Sequence, residues 1–98
     1  MPLKLSIIIP VYNEAATVAN LLDKVLAVVL PQFMTKELIV VNDCSTDGTA
    51  QTIQTYLTNH PGVPITLLEH EVNMGKGAAL HTGIAKASGE FVIIQDAD

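Results

Sequence analysis

Apolar and polar residues alternate along the chain in a pattern that predicts four strands separated by three helices. Between the strands, apolar residues recur three and four positions apart, the spacing of a helix with one buried face. With right-handed connections, the order βαβαβαβ gives an α/β unit in which helices cover the faces of a parallel sheet. The predicted strands lie at residues 5–11, 37–41, 64–69 and 90–95, and the first two are apolar runs rich in β-branched residues, typical of buried strands.

Polar residues and prolines at the ends of these segments predict where the helices begin and end. Asn13 is a favourable N-cap for the first helix, and Pro31 cannot continue that helix. Asp47 can cap the second helix. Apolar residues within 79–87 mark the third helix, which leaves Lys76 in a flexible loop before it.

The composition favours a single globular domain. Of 98 residues, 49% are hydrophobic and 15% are charged, whereas a disordered chain needs low hydrophobicity and high charge. Ten acidic against five basic residues give a formal net charge of −5. Nucleic acids and anionic membranes bind clustered positive charge, so neither is an expected partner.

Cysteine usage and hydropathy bear on the cellular compartment. The single Cys44 cannot form an intrachain disulfide, which fits a reducing compartment. No apolar run approaches the roughly 18–20 residues of a membrane span, and no signal-peptide cleavage site follows the first run. We expect a cytoplasmic protein, with any membrane association made by regions beyond residue 98. Because the chain stops directly after an apolar run, we also expect it to be a fragment of a longer protein.

Candidate site residues follow three of the predicted strands. In open α/β sheets, ligands bind beyond the carboxyl ends of the strands, where these residues would converge. Carboxylates that meet there repel one another unless a cation or a hydrogen-bonding ligand joins them, so we expect a ligand. The candidates at the strand ends are Pro10, Tyr12, Glu14, Asp43, Asp96 and Asp98.

Asp96 and Asp98 are two positions apart, so in extended backbone their side chains point to the same face. Paired carboxylates suit a hard cation such as Mg²⁺ or Mn²⁺, which completes its coordination with water and phosphate oxygens. An isolated Asp-x-Asp is more often only a polar strand end. Here the pair shares its expected sheet edge with Asp43, and this favours a metal site.

Three further residues each have two interpretations. Asp43 is either a turn former or an acceptor for a nucleoside base or ribose. Tyr12 is either a half-buried aromatic residue or a ring that packs on a base. Lys76, between Gly75 and Gly77, is either solvated or paired with phosphate. Neither the P-loop spacing nor the dinucleotide-binding fingerprint is present.

The other reactive residue types predict no chemistry. His60, His70 and His81 lack metal-ligand spacing, and we expect them to be solvated or lightly packed. Cys44 and Ser45 have no adjacent base and no nucleophile-elbow context, so covalent catalysis is not supported.

Four motifs occupy residues 6–14, 37–49, 73–79 and 95–98. Together they resemble the family-two glycosyltransferases of GT-A fold. The Gly-Lys-Gly-Ala-Ala loop and the Asp-Ala-Asp ending look closest to polyprenyl- or dolichyl-phosphate sugar transferases. The resemblance implies that residues 1–98 are the Rossmann-like, N-terminal nucleotide-sugar-binding part of such a domain, with strand order 3-2-1-4.

The resemblance also implies an activity: transfer of a sugar, with inversion, from a UDP- or GDP-sugar to an acceptor such as a polyprenyl phosphate. Pro10, Tyr12 and Glu14 would line the nucleotide pocket. Asp43 would accept from the base, and Lys76 would assist at the phosphates. It further implies that Asp96 and Asp98 bind ribose and a divalent metal, Mg²⁺ or Mn²⁺, that bridges the diphosphate.

The sequence departs from the family pattern in two respects. Asn42-Asp43 stands where many members have two adjacent Asp residues. The catalytic base of such enzymes lies downstream of the Asp-x-Asp motif, so we expect these 98 residues to bind donor weakly and not to turn over. We also expect self-association through the fourth strand, whose edge would be exposed.

One alternative remains open, a non-catalytic α/β module of receiver-like or Rossmann-like type that binds a nucleotide or Mg²⁺. A receiver-like domain needs acidic residues after its first strand and a phosphorylatable Asp after its third. Here the first strand ends in Pro10-Val11-Tyr12 and the third in Glu69-His70-Glu71, which disfavours that alternative.

Overall fold

The computed structural model describes residues 3–97 and contains the predicted order of strands and helices. All four strands are parallel and lie in the order β3-β2-β1-β4. The predicted α/β class and the strand order 3-2-1-4 are therefore confirmed. The elements are β1 (Leu3–Val11), α1 (Val18–Ala27), β2 (Met34–Asn42), α2 (Thr49–Asn59), β3 (Ile65–Glu69), α3 (Lys76–Lys86) and β4 (Phe91–Ile94).

The two central strands form the buried middle of the sheet. β1 and β2 pair along their whole length, from Leu3 opposite Met34 to Val11 opposite Asn42. Side chains of both strands are buried on both faces, as the uninterrupted apolar runs predict.

The helices divide between the two faces of the sheet. On one face, α1 and α2 bury residues such as Leu22 and Ile53 against Ile7 and Ile9 of β1. On the other face, α3 packs Ala79 against a second cluster that contains Ile8, Ile39 and Val41. Both faces of the two central strands are covered, and the carboxyl ends of the strands remain accessible between the helices.

The first helix is shorter than predicted at both ends. It begins at Val18 with Thr17 as N-cap, and Asn13 adopts a left-handed conformation (φ 55°) instead of capping it. Its helical hydrogen bonds stop before Val28, well ahead of Pro31, because Lys36 supplies another partner for the terminal carbonyl groups. The Lys36 ammonium donates to the carbonyl oxygens of Val25, Leu26 and Val28 at 3.0, 2.7 and 2.6 Å.

The third helix begins earlier than predicted. Lys76 is its first residue, and Gly75 precedes it with φ 93°, a conformation that glycine adopts without a steric penalty. Lys76 is therefore held at a helix N-terminus and not in a flexible loop.

The fourth strand is an edge strand, as the predicted order 3-2-1-4 implies. Within residues 3–97 its one neighbour is β1, to which it pairs from Leu5 opposite Phe91 to Ile8 opposite Ile94. Its four side chains are between 42% and 49% exposed. Among the helices of this part of the chain, none is long and apolar enough to cross a membrane.

Candidate functional site

The carboxyl ends of the strands open into a cleft of about 400 Å³. Residues from the ends of β1, β2 and β4 meet there with residues of the β3–α3 connection. Asp98 lies outside the described residues, so its position relative to Asp96 is not part of this geometry. The predicted site residues that the structure brings together around the cleft are Pro10, Tyr12, Glu14, Asp43, Lys76 and Asp96.

Asp43 organises the floor of the cleft. One carboxylate oxygen, Oδ1, accepts hydrogen bonds from His70 Nδ1 and Met74 N, each at 2.8 Å. The other oxygen, Oδ2, accepts from Gly75 N at 2.8 Å. The side-chain amide of Asn73 donates to the backbone carbonyl of Asp43 at 3.2 Å. Asp43 thereby fixes the loop that leads into α3.

These contacts determine the charge of Asp43. Burial, which leaves the residue 4% exposed, raises the pKa of its carboxyl. Hydrogen bonds from His70, Met74 and Gly75 lower that pKa by more, and the net result lies below the ordinary value of 3.8. The carboxylate is thus ionised at neutral pH.

His70 is a structured part of the site, and the expectation of a solvated or lightly packed ring is wrong. Its side chain is 8% exposed, and its Nε2 lies 2.8 Å from the hydroxyl oxygen of Thr82 on α3. Because an ionised carboxylate only accepts, the proton on the ring must sit on Nδ1, which faces Asp43. The imidazole therefore connects the ends of β2 and β3 with α3.

The loop after β1 is attached to the loop after β2. The Asn13 side-chain oxygen accepts from the backbone N–H groups of Thr46 and Asp47 at 2.8 and 3.3 Å. The backbone N–H of Glu14 donates to the Thr49 hydroxyl at 2.9 Å. Asn13 thus fixes the wall of the cleft that carries Tyr12, a role that accounts for its absence from the start of α1.

Asp47 contributes to the same attachment. Its carboxylate accepts from the hydroxyl of Thr49, from the Thr49 backbone N–H at 2.9 Å and from the Ala15 backbone N–H at 3.3 Å. The hydrogen bond from the Thr49 hydroxyl is the largest cause of an Asp47 pKa below its ordinary 3.8. The expected contact with the start of α2 is present, although the N-cap position itself belongs to Gly48.

Lys76 and Asp96 form an ion pair across the mouth of the cleft. Their side chains are 55% and 52% exposed, so water screens the pair and a charged ligand can reach both groups. Tyr12, which is 45% exposed, lies on the same rim. The Glu14 carboxylate accepts from the Thr17 hydroxyl at 2.9 Å and so supports the start of α1.

The described part of the cleft contains one exposed carboxylate of the kind that binds a divalent cation, that of Asp96. Among residues 3–97, no group of three or more His, Cys, Asp or Glu residues is placed to coordinate a metal ion. Mg²⁺ and Mn²⁺ commonly take one or two carboxylates and complete their coordination with water and phosphate oxygens. The Asp96 carboxylate, which is 52% exposed and paired with Lys76, is of this type and would need such additional ligands.

Sequence reasoning missed His70 and Asn73, the two side chains that hold Asp43 and the adjacent loop. A signal for His70 was present, because it directly follows β3 and stands at the same sheet edge as Asp43. Asn73 begins the motif at residues 73–79, but its contact depends on a backbone group thirty positions earlier, which the motif does not indicate.

Comparison with protein families gives one match over most of the chain. The model described as Glycosyl transferase family 2 matches residues 6–98. Among curated proteins, a dolichyl-phosphate beta-glucosyltransferase of Trichomonas vaginalis is 40% identical over 97 residues, which cover 93% of this chain and 28% of that protein.

Solved structures show the same architecture. A mannosyltransferase from Pyrobaculum calidifontis in complex with GDP-Man and Mn²⁺ superposes with a TM-score of 0.88 at 35% identity, covering 100% of this chain and 28% of that one. TarS 1-349 of S. aureus in complex with UDP superposes with a TM-score of 0.81 at 32% identity, covering 97% of this chain and 27% of that one. The chain thus spans less than a third of the length of these relatives.

Proposed function

Because the chain belongs to glycosyl transferase family 2 and has the GT-A fold, we propose that it binds the nucleoside diphosphate sugar in a glycosyltransferase. The cleft at the carboxyl ends of the strands carries this proposal, since it joins a planar aromatic ring, a buried carboxylate and an exposed Lys–Asp pair. Structural neighbours that hold GDP-Man or UDP support it.

The nucleoside occupies the part of the cleft at the carboxyl end of β1. Pro10, Tyr12 and Glu14 line this part, where the Tyr12 ring packs on the base and leaves its hydroxyl in water. Asp43 accepts a hydrogen bond from the base, because its carboxylate is ionised and fixed by the hydrogen bonds of His70 and the loop.

The diphosphate lies towards the mouth of the cleft. Lys76 lies beside it at the N-terminus of α3, where the helix dipole also favours an anion. Asp96 binds ribose and, together with Asp98, a Mg²⁺ or Mn²⁺ ion. The metal supplies neutralisation of the charge that develops on the leaving diphosphate. The Mn²⁺ in the mannosyltransferase complex supports this assignment.

The transfer proceeds with inversion, and its catalytic base lies downstream of Asp98 in the whole protein. These 98 residues by themselves therefore bind donor weakly and do not turn over. Detection of sugar transfer by the purified chain would overturn this part of the proposal.

The acceptor of the whole protein is a polyprenyl-type lipid phosphate. The dolichyl-phosphate beta-glucosyltransferase relative supports this assignment, as do the Gly75 to Ala79 loop and the Asp96-Ala97-Asp98 sequence. The reaction takes place on the cytoplasmic side, with membrane association made by regions beyond residue 98. Transfer of label from a nucleotide sugar to a polyprenyl phosphate, but not to a soluble sugar acceptor, is the expected result for the whole protein.

The purified chain self-associates through β4. Phe91, Val92, Ile93 and Ile94 expose apolar side chains on both faces of an edge strand, which is a template for pairing with a second copy. Light scattering at high protein concentration should show a dimer or a larger species. The substitution Ile93→Lys should lower the molar mass measured in this way. Val29→Lys is the control, because Val29 is 92% exposed but lies away from this edge. A monodisperse monomer contradicts the proposal.

Thermal unfolding with a panel of ligands tests the donor-binding proposal. A ligand at a concentration ten times its Kd stabilises the folded state by about 1.4 kcal/mol. For a domain of this size, this raises the midpoint temperature of unfolding by about 6–11 °C. UDP or GDP with Mn²⁺ should produce such a shift. NAD and acetyl phosphate, which represent a Rossmann-like binder and a receiver-like domain, should not.

Two carboxylate variants show whether the metal acts at the cleft. Asp96→Asn should abolish the Mn²⁺-dependent part of the shift. Glu90→Gln should leave it unchanged, because Glu90 is an exposed carboxylate at the opposite end of the same strand. If UDP and GDP with Mn²⁺ stabilise the protein no more than NAD or acetyl phosphate, the proposed function is wrong.

A further inference from the structure

The hydrogen bonds of Asp43 limit what its carboxylate can offer to a base. A carboxylate has about four acceptor positions, two on each oxygen. His70 Nδ1 and Met74 N occupy both positions of Oδ1. Gly75 N occupies one position of Oδ2. A ligand in the cleft therefore finds one remaining acceptor, on Oδ2.

His70 is the side chain that maintains this arrangement. Its ring is held from behind by the Thr82 hydroxyl at 2.8 Å, and its backbone N–H donates to the Asn42 carbonyl at 2.9 Å. Nδ1 carries a proton in the imidazolium form and in the neutral tautomer that faces a carboxylate. Oδ1 of Asp43 is thus occupied in both protonation states of the ring.

The bases differ in the donors that they present to such a group. Guanine presents two adjacent donors, N1–H and the N2 amino group, which match a carboxylate with both oxygens available. Uracil presents one donor, N3–H, between two carbonyl groups. With Oδ1 occupied, guanine leaves one donor unpaired in the cleft, whereas uracil finds the single acceptor that it needs. An unpaired buried donor corresponds to about a 10- to 100-fold loss of affinity.

We propose that His70 is a specificity-determining positioning residue, which occupies one oxygen of Asp43 so that the cleft selects a uridine nucleotide over a guanosine nucleotide. This inference rests on the proposed function, because it assumes that a nucleoside diphosphate occupies the cleft. It narrows the donor from a UDP- or GDP-sugar to a UDP-sugar.

Titration calorimetry with UDP and with GDP, at the same Mn²⁺ concentration, tests the inference on the purified protein. The wild type should bind UDP about 10- to 100-fold more tightly than GDP. His70→Leu removes the donor to Oδ1 and should narrow this ratio about tenfold, mainly because GDP binds better. His70→Asn, whose amide can still donate to Oδ1, should keep the ratio close to that of the wild type.

A purely structural role for His70 would weaken both nucleotides equally and leave the ratio unchanged. Thr82→Val removes the support behind the ring but leaves Nδ1 on Asp43, and it should change the ratio less than His70→Leu does. Circular dichroism shows which variants are folded. If His70→Leu does not fold, the test rests on the ratio of UDP to GDP affinity in the wild type and in His70→Asn.

The outcomes separate the two proposals. Equal binding of the two nucleotides, or tighter binding of GDP, overturns the base assignment and leaves the proposed function intact. An unchanged ratio in folded His70→Leu overturns the role of His70. Binding of neither nucleotide overturns the proposed function and this inference with it.

Discussion

Because α3 lies close to the sheet, an added methyl group at Gly83 of this helix has no room. A Cβ atom at Gly83 would lie 2.5 Å from Cγ2 of Ile8 and 3.3 Å from Cγ2 of Val41. Carbon atoms in contact prefer separations of about 3.5–4.0 Å, so Gly83→Ala requires a shift of about 1 Å. Ile8 is 0% exposed and its β-branched side chain has little rotamer freedom, so it cannot relieve the clash by changing rotamer.

The size of the effect follows from two opposing terms. Overpacking of a core costs about 1–3 kcal/mol, while replacing glycine by alanine inside a helix contributes up to about 1 kcal/mol. Gly77 lies in the same helix, and a Cβ there would meet no atom within 4 Å. Gly77→Ala therefore gains the higher helix propensity of alanine without the cost of overpacking. The free energies of unfolding of the two variants should differ by about 1–3 kcal/mol, with Gly83→Ala the less stable.

Urea unfolding followed by far-ultraviolet circular dichroism measures this difference, and the absence of Trp from the chain rules out tryptophan fluorescence. Similar slopes against denaturant for the two variants would show that the comparison concerns stability alone. If Gly83→Ala is as stable as Gly77→Ala, α3 does not lie this close to β1. The placement of Lys76 and of the loop held by Asp43 at the cleft would then be wrong as well.

Two further predictions concern titration. The pKa of Tyr56 is raised to about 12, first by burial and then by its hydrogen bond to Asp23, so one of the two tyrosines should ionise late in an ultraviolet titration. Tyr56→Phe should remove this late step and Tyr12→Phe should not; a late step that survives Tyr56→Phe refutes the assignment. Burial raises the pKa of Glu37, but hydrogen bonds, led by that of Ser6, hold it below its ordinary 4.5. The stability that depends on this charge is present above pH 4.5 and lost as the pH falls through the lower folded value. In Glu37→Gln, the free energy of unfolding, measured with urea, should therefore fall less between pH 5 and pH 3 than in the wild type. An unchanged pH profile would contradict this role of Glu37.

Much of the fold could be predicted because it depends on local patterns. The β-branched run around Ile8 and the apolar residues at helical spacing are visible in the sequence, and each determines which face is buried. The strand-end rule likewise identified Asp43 and Asp96 as candidates, and the cleft brings them together. The resemblance also implied the strand order 3-2-1-4, which makes β4 an edge strand, and the sheet has this order.

The predictions that were wrong concern residues whose hydrogen bonds join segments that are distant in the sequence. Asn13 has the side chain of an N-cap, yet its oxygen accepts from the loop after β2, so its local preference is overridden. Lys36 ends α1 from a position after Pro31, which no helix-stop pattern includes. His70 has no metal-ligand spacing, and its partners Asp43 and Thr82 come close to it only through the fold.

The central claim is that a nucleoside diphosphate binds at the carboxyl ends of the strands. The most direct measurement is a titration of the ¹⁵N-labelled protein with UDP and Mg²⁺, followed by nuclear magnetic resonance, which also detects weak binding. The account predicts concentration-dependent shifts of the amide signals of Tyr12, Gly75 and Asp96. Shifts confined to Gln51 and Thr55, in the groove beside α2 that Ala19 of α1 also lines, with the cleft signals unchanged, would contradict it.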